Sequence, residues 1–312
     1  MARTLTRCQI IERSINKRFR KELWAPFMTA IIKYELIQPG DKIAVCISGG
    51  KDSMLTAKLM QELHKHTRVP FDLIFLCMDP GYNPVNRAKI ESNARLLEIP
   101  LTIFETDIFD VANSQEHSPC YLCARMRRGH LYSKAKELGC NKIALGHHMS
   151  DVIETVVMAM FNSSKLETMI PKVHSLNFEG MELIRPMYRI KEEDVLAWCR
   201  YNDLEFIRCA CRFTEAIAAT GKLSDQSEEL SNNPSRTAAD SLPGSLPIRA
   251  HNGENSRRQE IKDLIRELKK THPGIEDSIF NAVHAVQLDT FPGYKTNGEM
   301  HSFTEHYSDV NK

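Results

Sequence analysis

The chain has 312 residues, enough for one large α/β domain with additions or two modest domains. Its 41 basic and 40 acidic residues leave a net charge of +1, so global charge argues for no particular partner and local clusters must carry any nucleic-acid argument. No window reaches the roughly 18 apolar residues of a membrane span, and the start Met1-Ala-Arg-Thr-Leu-Thr-Arg-Cys8 lacks the apolar run of a signal peptide, so a cytoplasmic protein with no membrane partner is expected. Nine cysteines in such a chain are expected to be reduced, and a C-x-x-C pair among them then reads as metal-binding or redox chemistry.

Residues 9–36 carry one long helical pattern, with Ile10, Ile11, Ile15, Phe19, Leu23, Phe27 and Ile31 on roughly one face and Arg13, Lys17, Arg18, Arg20 and Lys21 on the other. The basic face reads as a solvated surface or as a rail for RNA phosphates. Pro39-Gly40-Asp41 ends this N-terminal segment, 1–40, and launches the first strand.

The apolar run Ile43–Ile47 then stops at Ser48-Gly49-Gly50-Lys51-Asp52-Ser53, and an amphipathic pattern follows through Leu55, Leu59, Met60 and Leu63. This is a strand, a tight glycine turn and a helix start. Adjacent glycines let the backbone approach a ligand, and the first N–H groups of a helix favour an anion. With two hydroxyls and the mobile charge of Lys51, the loop reads as a phosphate site. It is not the common P-loop, which has four residues between its glycines, whereas here they are adjacent. It resembles the signature of the PP-loop ATP pyrophosphatases, which bind the pyrophosphate end of ATP and adenylate a carbonyl oxygen.

Residues 71–78, 101–104 and 142–145 read as further buried strands, with helices over 83–97 and around 131–138. Strands alternating with helices predict an α/β fold with a doubly wound, mostly parallel sheet. Ligands of such sheets lie at the carboxyl ends of strands, where Ser48–Ser53, Asp79 and Gly146-His147 all fall. A hairpin is expected over 170–186, through Val173, Leu176, Phe178, Met181, Leu183 and Ile184 with its turn at Glu179-Gly180. A helix over 191–202 and a short strand over 204–207 follow. The catalytic domain is drawn as 41–213. Residues 214–256, rich in Ser, Asn, Ala, Gly and Pro, read as a low-complexity insertion. C-terminal helices are expected in 257–295, over 257–270 and 276–286, before a polar, frayed tail at 296–312.

Two further motifs carry chemistry. In Gly146-His-His-Met-Ser-Asp-Val-Ile-Glu-Thr155, Asp151, Glu154 and Thr155 share one helix face, where carboxylates can bind Mg²⁺, position a nucleotide, or merely suit the helix dipole. In Ser118-Pro-Cys-Tyr-Leu-Cys-Ala-Arg-Met-Arg-Arg128, serine before proline reads as a helix cap, which places Cys120 and Cys123 in the first turn. There the N–H groups and Arg125, Arg127 and Arg128 would favour thiolate. Cys209 and Cys211 follow downstream. Four thiolates could close a structural zinc site, and three could hold an iron–sulfur cluster with one iron open. Spacing does not choose between them. Cys8, Cys46, Cys77, Cys140 and Cys199 read as packing residues.

The order of SGGKDS, PCYLCARMRRGHLY, GHHMSDVIET, IRPMYRIKEEDV and the later cysteine pair resembles the tRNA 2-thiocytidine synthetases over about residues 10–213 and 257–295. That resemblance implies an adenine nucleotide α-hydrolase-like fold and ATP-dependent thiolation of a cytidine, position 32 of the anticodon loop. It implies ATP and Mg²⁺ at Ser48, Gly49, Gly50, Lys51, Asp52, Ser53, Asp79, Gly146, His147 and Asp151, and a [4Fe–4S] cluster on Cys120, Cys123 and Cys211 or Cys209. Lys51, Asp52, Cys120 and Cys123 are then the catalytic residues, and Arg125, Arg127 and Arg128 contact the tRNA anticodon arm. A sulfur donor such as a cysteine desulfurase, and a homodimer, are the family-level partners. The alternatives are a 2-thiouridine or lysidine type of enzyme and a zinc-bearing nucleotide- or RNA-binding module. Only Cys8 precedes the strand 43–47 that leads into the loop, which argues against the 2-thiouridine branch with its N-terminal cysteine pairs.

Overall fold

The computed structural model describes residues 4–106, 108, 119–207, 254–296, 298–305 and 307. Its first segment corrects the expected single helix. From Ile11 to Ile31 an apolar residue recurs every fourth position, and all six (Ile11, Ile15, Phe19, Leu23, Phe27, Ile31) are buried, whereas Ile10 is exposed. A straight α-helix turns about 100° per residue, so such a stripe would drift about 40° per step and leave the core. The chain resolves the mismatch by breaking. Helix α1 (Arg7–Asn16) gives way to a widened π-helical turn at Arg20–Trp24 and then to α2 (Ala25–Lys33). Arg13, Lys17, Arg18, Arg20 and Lys21 stay exposed.

The sheet follows from strands covered on both faces, which is why they read as continuous apolar runs. Strands β1 (Lys42–Ile47), β2 (Asp72–Asp79), β3 (Leu101–Glu105), β4 (Lys142–Ala144), β5 (Lys172–His174) and β6 (Glu182–Ile184) lie in the order β3-β2-β1-β4-β6-β5. Val45 pairs with Phe75 on one side and Ala144 on the other, both parallel, and only the edge strand β5 runs antiparallel. Ile43, Val45 and Ile47 pack on Leu55 and Leu59 of α3 (Lys51–His66) and on the N-terminal segment, with α4 (Pro84–Leu96) contributing Ile90. Ala44 and Cys46 face the opposite way, onto Tyr132 and Ala135 of α5 (Pro119–Glu137). The expected doubly wound, mostly parallel α/β fold is therefore present. The winding runs from β1 out to β3, then returns to the other side of β1 at β4. The crevice between the carboxyl ends of β1 and β4 is the topological switch point.

Helix α6 (Met149–Ser163) leaves β4, and α7 (Glu192–Tyr201) buries Val195 and Trp198 in the main core. Two C-terminal helices, α8 (Glu254–Thr271) and α9 (Ile275–Ala282), dock Ile261, Ile265 and Phe280 on Met149, Val152 and Ile153 of α6. No helix is long and apolar enough to cross a membrane among the described residues.

Three expectations fail locally. Residues 204–207 form no strand, because the segment runs over α4 rather than along a sheet edge: the Asn93 side chain donates to the Glu205 carbonyl at 2.9 Å. The hairpin forms, with Gly180 at φ +76° in its turn, but Leu176 is 99 % exposed, since the short strands β5 and β6 leave it outside their pairing. The tail is ordered as far as a small hairpin, β7 (Gly293–Thr296) with β8 (Glu299–Ser302), turned at Gly298 with φ +88°. The expected insertion 214–256 lies outside the described residues apart from the start of α8, and Cys209 and Cys211 lie outside them entirely.

Candidate nucleotide site at the switch point

The β1–α3 turn is closed by its own serines. Ser53 Oγ accepts from the Ser48 N–H at 3.1 Å and from the Ser48 hydroxyl at 3.2 Å, and donates to the Gly50 carbonyl at 2.9 Å. Gly49 holds φ +83°, and a Cβ there would lie 2.5 Å from Ile90 Cγ1 and 2.7 Å from Ile207 Cδ1. Gly50 caps α3 without a side-chain hydrogen bond, so the first N–H groups of that helix are offered to a ligand. Gly146, at the end of β4, is needed for a different reason. A Cβ would sit 3.0 Å from Asp52 C and Ser53 N, because this turn lies directly on the first turn of α3.

Lys51 extends between two carboxylates, Asp52 Oδ2 at 3.0 Å and Glu192 Oε1 at 2.9 Å. Burial works against its charge, but Asp52 and Glu192 outweigh burial and hold its pKa above the usual lysine value. Burial likewise works against ionised Glu192, and the Lys51 hydrogen bond overturns this, taking the carboxyl down to about 2. Both residues line a cleft of about 610 Å³ with Gly50, Asp52, Cys199 and Phe206.

The second motif meets the first through its histidines. His148 caps α6, accepting from the Asp151 N–H at 3.4 Å while its own N–H donates to Asp151 Oδ2 at 2.9 Å. Its Nε2 stands 3.7 Å from Asp52 Oδ1, an atom that is buried and lacks a hydrogen-bond partner among the described residues. His147 Nδ1 is buried and equally unpartnered, and burial pulls its pKa down to about 4. A buried neutral histidine makes stability depend on pH. Its depressed folded-state pKa means that the unfolded chain binds the proton first. Stability is therefore expected to be lost as pH falls from about 6.5 toward 4, by on the order of 2 kcal/mol. Urea denaturation of wild type and His147→Asn over that window checks this: the variant should lose the corresponding slope, and an unchanged slope refutes the assignment.

Asp151 and Glu154 share a helix face as expected, but neither faces the crevice alone. Arg258 of α8 reaches Asp151 Oδ1 at 3.3 Å and Glu154 Oε2 at 2.8 Å, and Lys262 lies 3.6 Å from Glu154. Among the described residues no group of three or more His, Cys, Asp or Glu side chains is arranged to hold a metal ion. Asp79 sits at the end of β2, where its Oδ1 accepts from the Gly81 and Tyr82 N–H groups at 2.9 and 2.7 Å and its Oδ2 pairs with Arg87. Its carboxylate thus shapes its own loop. Arg127 points inward, donating to the Tyr82 hydroxyl at 3.3 Å, whereas Arg128 is exposed. The side chains of Cys120, Cys123 and Arg125 lie outside the described residues, although α5 does begin at Pro119, so the two cysteines are its second and fifth residues, spaced i and i+3 at its N-terminal end. Cys8, Cys46, Cys77, Cys140 and Cys199 are all buried, as packing residues should be. Burial raises every one of their thiol pKa values, to about 12 at Cys46 and Cys77 and about 11 at Cys199.

Reading the sequence missed Glu192, Arg258, Lys262 and the 204–207 cleft wall. Glu192, Glu193 and Asp194 stand in the first turn of their helix, where acids suit the helix dipole without any ligand, and nothing local ties residue 258 or 262 to residue 151.

The two-way-wound parallel sheet, with a glycine loop and a histidine turn meeting at its switch point, defines an adenine nucleotide α-hydrolase-like α/β protein. A family model described as the PP-loop domain matches residues 13–211. A tRNA-cytidine(32) 2-sulfurtransferase of Neisseria meningitidis serogroup C is 31 % identical over 291 residues, covering 92 % of this chain and 78 % of the relative. One from Paracidovorax citrulli is 29 % identical, covering 94 % and 81 %. In fold the chain is similar to the U34-tRNA thiolase NcsA of Methanococcus maripaludis, solved with its [4Fe–4S] cluster, at a TM-score of 0.57 and 20 % identity over 84 % of this chain and 77 % of that one. The chain belongs to the PP-loop family of ATP pyrophosphatases, within its branch of tRNA-cytidine 2-sulfurtransferases.

Proposed function

We propose that the protein thiolates a tRNA cytidine, position 32 by its relatives, at the expense of ATP. The observation that carries this reading is the Ser48–Ser53 loop at the switch point, in a chain that resembles tRNA-cytidine(32) 2-sulfurtransferases over nine-tenths of its length. Cytosine C2 carries a poor leaving group. Attack of its O2 on the α-phosphorus of ATP releases pyrophosphate and turns that oxygen into part of AMP. The Gly50 turn and the first N–H groups of α3 hold the phosphates, and Lys51 neutralises the charge that builds on them. Asp52 steadies Lys51, and Gly146 and His147 frame the crevice from the β4 side. Attack of a sulfur nucleophile on C2 then expels AMP. Mg²⁺ would accompany the ATP phosphates.

Cys120 and Cys123, one turn apart at the start of α5, are the donor pair for a [4Fe–4S] cluster, with Cys211 or Cys209 as the third ligand; zinc is the alternative occupant. The i, i+3 spacing at a helix N-terminus, where thiolate is favoured, fits soft-metal binding. When bound, the cluster supplies the sulfur-handling chemistry of the second half-reaction. Arg128, Arg125 and the exposed Arg13, Lys17, Arg18, Arg20 and Lys21 of the N-terminal segment suit anticodon-arm phosphates. Arg127, turned toward Tyr82, instead supports the β2 end of the crevice.

The test is anaerobically reconstituted protein incubated with tRNA, ATP and sulfide, with nucleosides read by mass spectrometry. Wild type is expected to carry about four irons and four sulfides and to yield 2-thiocytidine, AMP and pyrophosphate. Cys120→Ala is expected to lose the visible chromophore and the thiolated product while still binding ATP. Full thiolation by Cys120→Ala, or a lysine adduct in place of sulfur, overturns the reading.

A further inference from the structure

Glu192 separates two clefts. It lines the 610 Å³ cleft of Lys51 on one side and, on the other, a cleft of about 300 Å³ between α6, α7, α8 and α9. Each of its carboxylate oxygens has its own cation: Oε1 meets Lys51 at 2.9 Å and Oε2 meets Lys262 of α8 at 3.1 Å. From Lys262 a run of charged and polar side chains leads back toward the loop. Lys262 meets Glu154, Glu154 meets Arg258, Arg258 meets Asp151, Asp151 meets His148, and His148 Nε2 approaches Asp52, which returns to Lys51. A helix some 200 residues downstream in sequence is thereby tied to the one lysine of the phosphate loop.

Building on the nucleotide reading above, we propose that Glu192 is a positioning residue for Lys51, and that Lys262 is the counter-ion that lets it release Lys51 to the nucleotide. Before binding, Glu192 holds Lys51 extended in the cleft. Once phosphate takes Lys51, Glu192 would be a half-buried carboxylate beside a polyanion, an arrangement that costs free energy unless a second cation stays with it. Lys262 is that cation, already in place. Docking of α8 is thus coupled to occupancy of the loop, and by linkage nucleotide tightens the docking of α8.

A competing explanation gives Lys262 only a long-range attraction for phosphate, and a double-mutant cycle separates the two. Mg-ATP binding is titrated calorimetrically on the full chain for wild type, Lys262→Gln, Lys262→Arg, Glu192→Gln and the Glu192→Gln/Lys262→Gln pair, with thermal melting of each nucleotide-free protein. Lys262→Gln is expected to weaken ATP binding roughly three- to tenfold, the range of one partly exposed ion pair, with little change in nucleotide-free melting. Lys262→Arg should restore the affinity. In the Glu192→Gln background the Lys262→Gln penalty should vanish, because no carboxylate is left to compensate. An equal penalty in both backgrounds, or none in either, overturns the inference while leaving ATP binding intact. A wild-type chain that binds no ATP overturns the nucleotide reading and the inference with it.

Discussion

Replacing Gly49 by alanine is expected to destabilise the protein by about 2–5 kcal/mol and to abolish ATP binding. Two costs combine. The residue holds φ +83°, and a left-handed backbone costs an L-residue about 1–2 kcal/mol. The added methyl would also lie 2.5 Å from Ile90 and 2.7 Å from Ile207, and overpacking of this kind costs about 1–3 kcal/mol. Ile90 is fully buried in the main core, so its side chain has nowhere to swing. Any relief must come from the loop itself, which would turn the N-terminus of α3 away from the crevice. Gly50→Ala is the control. Its φ is −79° and the nearest atoms to an added Cβ lie at 3.7 and 3.8 Å, so its stability should change by less than about 1 kcal/mol. Chemical denaturation with parallel ATP titration measures both variants. A Gly49→Ala protein that binds ATP like wild type would remove the loop from the binding site.

The same contrast between neighbours explains what was legible in the sequence. The mostly parallel sheet followed from β-branched runs alternating with helical patterns, and its ligand-binding edge from the glycines at the strand ends, because these are local signals. The strand order, and with it the switch point, is set by pairing between distant segments. The break in the N-terminal helix was encoded too, in a stripe of period four that no straight α-helix can bury, but the period has to be compared with 3.6 to be seen. Residues 204–207 look like a strand because they must be extended and apolar. What decides their state is a hydrogen bond from Asn93 on a distant helix, and no local pattern carries that. Glu192, Arg258 and Lys262 escaped for the same reason. Each is an ordinary surface-type residue in its own helix, and only the docking of α8 on α6 and α7 turns them into one network.

Lys51→Met is expected to lower ATP-dependent turnover by about 10²- to 10³-fold, the usual cost of losing one preorganised charge aimed at a reacting phosphate, while changing stability by less than about 1 kcal/mol. The separation follows from what surrounds the two carboxylates. Losing Lys51 leaves Glu192 with Lys262 at 3.1 Å, and the Asp52 side chain is 29 % exposed, so water can replace Lys51 at its Oδ2. Lys51→Arg keeps the charge but spreads it over a planar fork, and should recover only part of the rate, because the loop offers its lysine as a point charge. Acid titration adds an independent readout. Burial alone would raise the Glu192 pKa, and Lys51 is the strongest of the groups that instead bring it to about 2. A carboxyl so depressed contributes stability that is complete above its ordinary pKa of 4.5 and disappears as pH falls toward 2. Without Lys51 that pKa moves back up, and the acid limb of the stability curve should flatten between about pH 4.5 and 2. Turnover lost together with an unchanged acid limb would mean that Lys51 does not sit on Glu192 in solution, and the account of how its charge is held ready for phosphate would have to be replaced.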